Sequence, residues 1–144
     1  MRRILYVEDD PPLRAVLVDL LTQFGYAVEA VVDGREGLAR MREAPDSYDL
    51  LLTDVRMPNL DGIEMVRCLR KSGCTTPIVV FTAFAGDVDA SDVAANGIAG
   101  VVEKGDLTSL FALVERAIAS CGNGRFSTLK APSPDGGQNP GCGI

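Results

Sequence analysis

Histidine is absent from all 144 residues. That excludes Ser-His-Asp and Cys-His mechanisms and most zinc sites. The four cysteines, Cys68, Cys74, Cys121 and Cys142, form no CxxC pair and no zinc spacing, so free thiols are expected. No apolar run approaches the roughly 20 residues that a bilayer-spanning helix needs. Met1-Arg2-Arg3-Ile4-Leu5 opens the chain with two basic residues, but Glu8, Asp9 and Asp10 follow at once and leave no apolar stretch for a secretory leader. A cytoplasmic location without membrane contact is expected. Basic runs are no longer than Arg2-Arg3 or Arg70-Lys71, and the net charge is −6 with a pI near 4.6. A nucleic-acid binder would show a basic patch or stripe, so direct nucleic-acid contact is not expected.

What the chain does have is a hydrophobic fraction of 47%, too high for a disordered chain and sufficient for a core. Apolar runs alternate with helical periods. Ile4 to Val7 reads as a strand. Leu13, Val16, Leu17, Leu20, Leu21 and Phe24 follow the i, i+3, i+4, i+7 spacing of an amphipathic helix. Asp10 is placed as its N-cap, Pro11 as its first residue and Gly25 as its stop. Further strands are expected at Val28–Val32, Leu50–Thr53, Ile78–Phe81 and Val101–Val102. Helices are expected over Gly34–Ala44, around Ile63, Val66 and Leu69, over Ala85–Ala95 with weak amphipathicity, and through Leu107, Leu110, Phe111, Val114 and Ile118. Asp61-Gly62 reads as a turn whose aspartate caps the third helix. The pattern predicts an α/β fold, a doubly wound (βα)₅ with a parallel sheet covered on both faces. Residues 1–120 form its one domain. Residues 121–144, rich in Gly, Pro, Ser and Asn, read as a flexible tail.

Ligands of open α/β sheets bind beyond the carboxyl ends of the strands. There the chain places Glu8-Asp9 after the first strand, Asp54 after the third, Thr82 at the end of the fourth and Lys104 just past the fifth. Three carboxylates gathered together repel one another unless a cation neutralises them. All-oxygen donors of high charge favour a hard ion, Mg²⁺ above all. A carboxylate beside such an ion can be a nucleophile toward phosphorus. Lys104 and the Thr82 hydroxyl supply a cation and a donor for phosphoryl oxygens.

Five segments carry a family resemblance. Val7-Glu8-Asp9-Asp10, Leu52-Thr53-Asp54-Val55-Arg56-Met57-Pro58, Leu60-Asp61-Gly62, Val80-Phe81-Thr82-Ala83 and Val102-Glu103-Lys104 resemble, in order and spacing, the receiver domain of two-component response regulators. The resemblance spans roughly residues 3–120. It implies a flavodoxin-like five-stranded sheet of order 2-1-3-4-5. It also implies that Asp54 is the phosphoacceptor and that Thr82 and Lys104 bind the phosphoryl group. Mg²⁺ would be held by Glu8, Asp9, Asp54 and the main-chain carbonyl of Arg56. The donor would be a histidine kinase or a histidine phosphotransfer protein, since this chain has no histidine of its own to phosphorylate.

The output implied is a change of shape read by a downstream protein through the face of the fourth helix, fifth strand and fifth helix. No DNA-binding effector domain is expected in the chain, and its chemistry is self-catalysed phosphotransfer and autodephosphorylation rather than enzymatic turnover. Between Ala85 and Glu103 the charges are Asp87, Asp89, Asp92 and Glu103, with no basic residue. That composition does not suit a dimer built on mixed-sign ion pairs and points to a partner of opposite charge.

Two positions depart from the family pattern: Gly105 stands where proline usually follows the lysine, and Val101 where an aromatic switch residue is common. Arg56 and Phe84 occupy the positions that flank the attacking water in dephosphorylation. Two other readings compete. A haloacid-dehalogenase-like phosphatase would carry a DxD nucleophile after its first strand, which Glu8-Asp9-Asp10-Pro11 does not supply. An interaction module of the same fold would not need all of Glu8, Asp9, Asp54, Thr82 and Lys104. The chain could also be one piece of a longer phosphorelay protein, with the tail as a linker.

Overall fold

The computed structural model describes residues 1–121. Five strands and five helices alternate: β1 Arg3–Val7, α1 Pro11–Gln23, β2 Ala27–Val31, α2 Gly34–Glu43, β3 Leu50–Thr53, α3 Gly62–Lys71, β4 Ile78–Thr82, α4 Ala90–Asn96, β5 Gly100–Glu103 and α5 Leu107–Cys121. The strands form one sheet of order β2-β1-β3-β4-β5, every pairing parallel, as the sequence led us to expect. The expected tail lies outside the described residues except for Cys121, which ends α5.

Strand periodicity builds two cores. Leu5, Val7, Leu51, Ile78 and Val80 face α2 and α3 on one side, and Ile4, Tyr6, Leu50, Leu52, Val79 and Phe81 face α1 and α5 on the other. β1, β3 and β4 are therefore apolar at successive positions, because both faces are covered.

Three local readings need correction. Asp10 precedes α1 with extended backbone but makes no side-chain cap bond, and its N–H turns to Glu8 instead. The apolar stripe of α1 is wider than the face it packs: Leu17 and Leu21 are buried, but Val16 and Phe24 are exposed, Phe24 stacking on Phe111 at 4.5 Å. The segment expected to be one helix from Ala85 divides into a 3₁₀ turn, Ala85–Asp87, and α4, because Val88 and Asp89 are extended. Asp61 does cap α3, accepting from Glu64 N–H at 2.9 Å, and Asp33 caps α2 the same way.

No helix among the described residues is long and apolar enough to cross a membrane.

Candidate functional site: an acidic pocket closed by a lysine

Parallel pairing brings the carboxyl ends of β1, β3, β4 and β5 to one edge. Backbone bonds then lock the loops there: Glu8 N–H to Val31 O at 3.1 Å, Asp54 N–H to Val7 O at 3.1 Å, and Lys104 N–H to Thr82 O at 2.7 Å. Carboxylate oxygens of Glu8, Asp9 and Asp54 lie within 4.8 Å of one another. Glu8 is fully buried, Asp54 is 5% exposed, and Asp9 faces solvent.

Lys104 closes the pocket. Its ammonium donates to Asp54 Oδ2 at 2.8 Å and to Glu8 Oε2 at 3.1 Å, across sequence separations of 50 and 96 residues. The other Asp54 oxygen, Oδ1, accepts from Val55 N–H at 2.7 Å. Thr82 ends β4 at the same edge, 2% exposed, its hydroxyl oxygen facing Phe84 N–H at 3.5 Å. The five side chains picked from the sequence thus share one rim. The Arg56 side chain does not join them. It is 80% exposed and reaches out to Asp87 at 2.8 Å.

Burial, then the neighbouring Asp54 charge, pushes the Glu8 carboxyl up to about 7, against the opposing pull of Lys104. Burial disfavours the Lys104 charge, but Asp54 and Glu8 outweigh it and hold the ammonium above the usual lysine range. One lysine therefore does not fully neutralise the pocket. An all-oxygen donor set with two buried carboxylates and surplus negative charge fits a hard divalent cation such as Mg²⁺, which Glu8, Asp9 and Asp54 would hold.

Sequence reasoning passed over several supports. Tyr6 OH donates to Glu8 Oε1 at 3.1 Å, and burial and Glu8 raise its phenol above the usual range, so it stays a donor. The period of a strand could have revealed this pair, since residues two apart share a face. Arg14 of α1 donates to the Glu8 carbonyl at 2.7 Å. Asn59, at φ 72°, ties the loop after Asp54 to Asp33 at 2.6 Å. Gly62 seats α3 directly on that loop: a Cβ there would lie 2.0 Å from the Asp54 carbonyl oxygen.

The two departures from the family pattern also take shape. Gly105 has φ 103°, a backbone angle closed to proline, whose ring holds φ near −65°. Lys104 keeps its place through two ion pairs instead. Val101 packs on the same core as Val88, Val93 and Ile98, an aliphatic seam between β5 and the α4 region. The loop leading to α4 is fastened by Glu103, which accepts from Ala85 N–H at 3.0 Å.

A doubly wound sheet of this order, with an acidic pocket and a lysine at its carboxyl edge, defines a flavodoxin-like α/β class. The sequence profile of the response regulator receiver domain matches residues 4–115, and the chain belongs to that family. Response regulator MprA of Mycolicibacterium vanbaalenii is 47% identical over 81 residues, covering 56% of this chain and 34% of MprA. Transcriptional regulatory protein TcrA of Mycobacterium tuberculosis is 40% identical over 81 residues, 56% of this chain and 31% of TcrA. The match therefore spans about a third of the length of these curated relatives. Among solved structures, response regulator TrrA of Thermotoga maritima in complex with Mg(2+)-BeF superposes with a TM-score of 0.72 at 29% identity, covering 81% of this chain and 99% of that one. Chemotaxis protein CheY4 of Vibrio cholerae gives 0.71 at 29% identity, covering 81% and 98%.

Proposed function

We propose that this receiver takes a phosphoryl group onto Asp54 from the phosphohistidine of a partner, a histidine kinase or a histidine phosphotransfer protein. The observation that carries the reading is the Lys104 bridge: a strand-end aspartate, nearly buried, held at 2.8 Å by an ammonium and flanked by two further acids. Glu8, Asp9 and Asp54, with the main-chain carbonyl of Arg56, would hold Mg²⁺, which when bound supplies charge neutralisation for the transferring group. The Mg(2+)-BeF complex of TrrA supports that chemistry.

An Asp54 oxygen attacks phosphorus in line with the P–N bond of the donor. The P–O bond forms as P–N breaks, and the imidazole leaves with the electron pair and takes up a proton. Lys104 has only to pass from the carboxylate to a phosphoryl oxygen, and the Thr82 hydroxyl donates to another. Water later cleaves the acyl phosphate, so the chain phosphorylates and dephosphorylates itself without turning over a free substrate. This reading carries a cytoplasmic location.

The phosphoryl group adds about −1.5 to −2 charge at Asp54. Thr82 and Lys104 follow it, and the loop into α4 shifts with them. Output would pass to a downstream protein through α4, β5 and α5. The electrostatic basis of that face is narrower than its composition suggests, since Asp87 is paired with Arg56 and Asp92 with Arg67. No direct nucleic-acid contact is part of this reading. The transcriptional role in TcrA's name belongs to a protein of which the match covers 31%.

Intact-mass measurement after acetyl phosphate and Mg²⁺ tests the proposal. One phosphate adduct is expected on the wild type and none on Asp54→Ala or without Mg²⁺. An adduct that survives Asp54→Ala would overturn the assignment.

A further inference from the structure

Tyr6 is out of keeping with its surroundings. Of the thirteen buried side chains in the core beneath α1 and α5, twelve are hydrocarbon and only Tyr6 carries a polar atom. Phenylalanine would fill the same volume with no hydroxyl to satisfy, and a buried hydroxyl is unfavourable unless it finds a partner. The hydroxyl is spent on Glu8, two residues on and across the same face of the sheet, at 3.1 Å.

The Glu8 carboxylate is shared between two settings. Oε2 lies toward the rim, accepting from Lys104 at 3.1 Å and from Asp10 N–H at 3.3 Å, both partly exposed to water. Oε1 accepts the Tyr6 hydroxyl in a fully buried bond. Lys104 also serves Asp54 and is free to leave with a phosphoryl group, whereas Tyr6 is fixed in the interior strand β1 with no exposed surface. The lasting anchor of Glu8 is therefore the phenol.

We propose that Tyr6 is a positioning residue of the cation site: its hydroxyl sets the Glu8 carboxylate beside Asp9 and Asp54 before Mg²⁺ arrives, and its ring registers the ion's arrival. This rests on the Mg²⁺ reading given above. The physical reason is the general one for metal sites, in which a hydrogen bond to a ligand's far atom fixes its orientation and strengthens binding. A fully buried carboxylate with one oxygen left without a donor would otherwise turn toward Lys104 and offer itself poorly to an ion.

The chain reports on this by itself. It has no tryptophan and three tyrosines, so tyrosine emission is visible, and a phenol donating to a carboxylate is quenched by it. Mg²⁺ drawing on Glu8 should relieve that quenching. The experiment is a Mg²⁺ titration of wild type, Tyr6→Phe and Tyr26→Phe, followed by tyrosine emission and by calorimetry, with the melting temperature of each protein in EDTA. Emission should rise with Mg²⁺ in wild type and Tyr26→Phe and stay flat in Tyr6→Phe. Affinity should fall roughly tenfold in Tyr6→Phe alone. A purely structural tyrosine would change the melting temperature in EDTA and leave affinity untouched, so Mg²⁺ binding by Tyr6→Phe within about twofold of wild type would overturn the proposal. Should Tyr6→Phe not fold, the wild-type emission decides: a calorimetric Mg²⁺ isotherm with no change in emission overturns it. If wild type shows no Mg²⁺ isotherm, this proposal and the Mg²⁺ reading fall together. If wild type binds and Tyr6→Phe binds equally well, only the role of Tyr6 is lost.

Discussion

Replacing Lys104 with methionine keeps the length of the side chain and removes its charge. Two carboxylates then lose their cation: Glu8, with no exposed surface, and Asp54, whose side chain is 7% exposed. Breaking a buried pair by removing one partner costs about 3–5 kcal/mol. Two features of the pocket reduce that figure. Lys104 itself is 20% exposed, so water reaches the vacated position, and Glu8, already raised to about 7, can take a proton in place of the lost ammonium. At pH 8, where protonation helps least, a loss of about 2–3 kcal/mol is expected, or roughly 10 °C in melting temperature for a domain of this size. At pH 6 Glu8 takes up its proton at little cost, and the loss should shrink to about 1 kcal/mol. The assay is thermal unfolding in EDTA at both pH values, then with Mg²⁺. The ion should raise the variant's melting temperature more than the wild type's, because the emptied pocket is more negative. A variant in EDTA at pH 8 that melts within about 2 °C of wild type would refute the reasoning, as would an equal deficit at both pH values.

Other consequences are equally open to measurement. Gly62→Ala drives a methyl into the Asp54 carbonyl, 2.0 Å from the ideal Cβ, and should cost about 2 kcal/mol or more in urea unfolding and weaken Mg²⁺ binding. In the metal-free chain Glu8 titrates higher when folded than when unfolded, so between pH 4.5 and about 7 the native state holds a proton that the unfolded chain has released. Its contribution is present below pH 4.5 and fades as pH rises through 7. The stability of wild type relative to Glu8→Gln should therefore fall by up to about 3 kcal/mol across that window, and Mg²⁺ should abolish the trend. Arg70 donates to the carbonyls of Thr76 at 2.8 Å and Asn96 at 2.7 Å, so Arg70→Ala should speed amide exchange throughout α4, whereas loss of the exposed Arg67–Asp92 pair should shift stability by less than about 1 kcal/mol. Phe84 is 62% exposed beside the site, and Phe84→Glu should shorten the lifetime of the aspartyl phosphate; unchanged or slower decay would count against its shielding of the attacking water.

The parts of the fold that were legible in the sequence were those set by strand and helix period. Leu50 to Thr53 and Ile78 to Phe81 are apolar at every step because helices cover both sides of the sheet, and such runs cannot be mistaken for loops. Once the strands were ordered, Asp54 and Lys104 had to meet at one edge, and they do at 2.8 Å. What stayed hidden depends on contacts between distant residues or on small differences in exposure. Two of the acids around α4, Asp87 and Asp92, look unneutralised in sequence because their partners, Arg56 and Arg67, lie 31 and 25 residues earlier. Asp10 has the right residue type and backbone for a cap, but Pro11 and Pro12 fill the first helical positions and offer no N–H to its carboxylate. Val16 and Phe24 fit the helical period, yet they stay exposed while Leu17 and Leu21 are fully buried and Leu13, Val18 and Leu20 pack at the margin of the core.

The central claim is that Asp54 carries the phosphoryl group, and chemical trapping tests it most directly. Borohydride reduces an aspartyl phosphate to homoserine, and peptide mass spectrometry then locates the altered residue. After phosphorylation in Mg²⁺, homoserine is expected at position 54 and at no other acid. Homoserine at Asp9 or Asp10, or none in a chain that has taken up phosphate, would contradict the account.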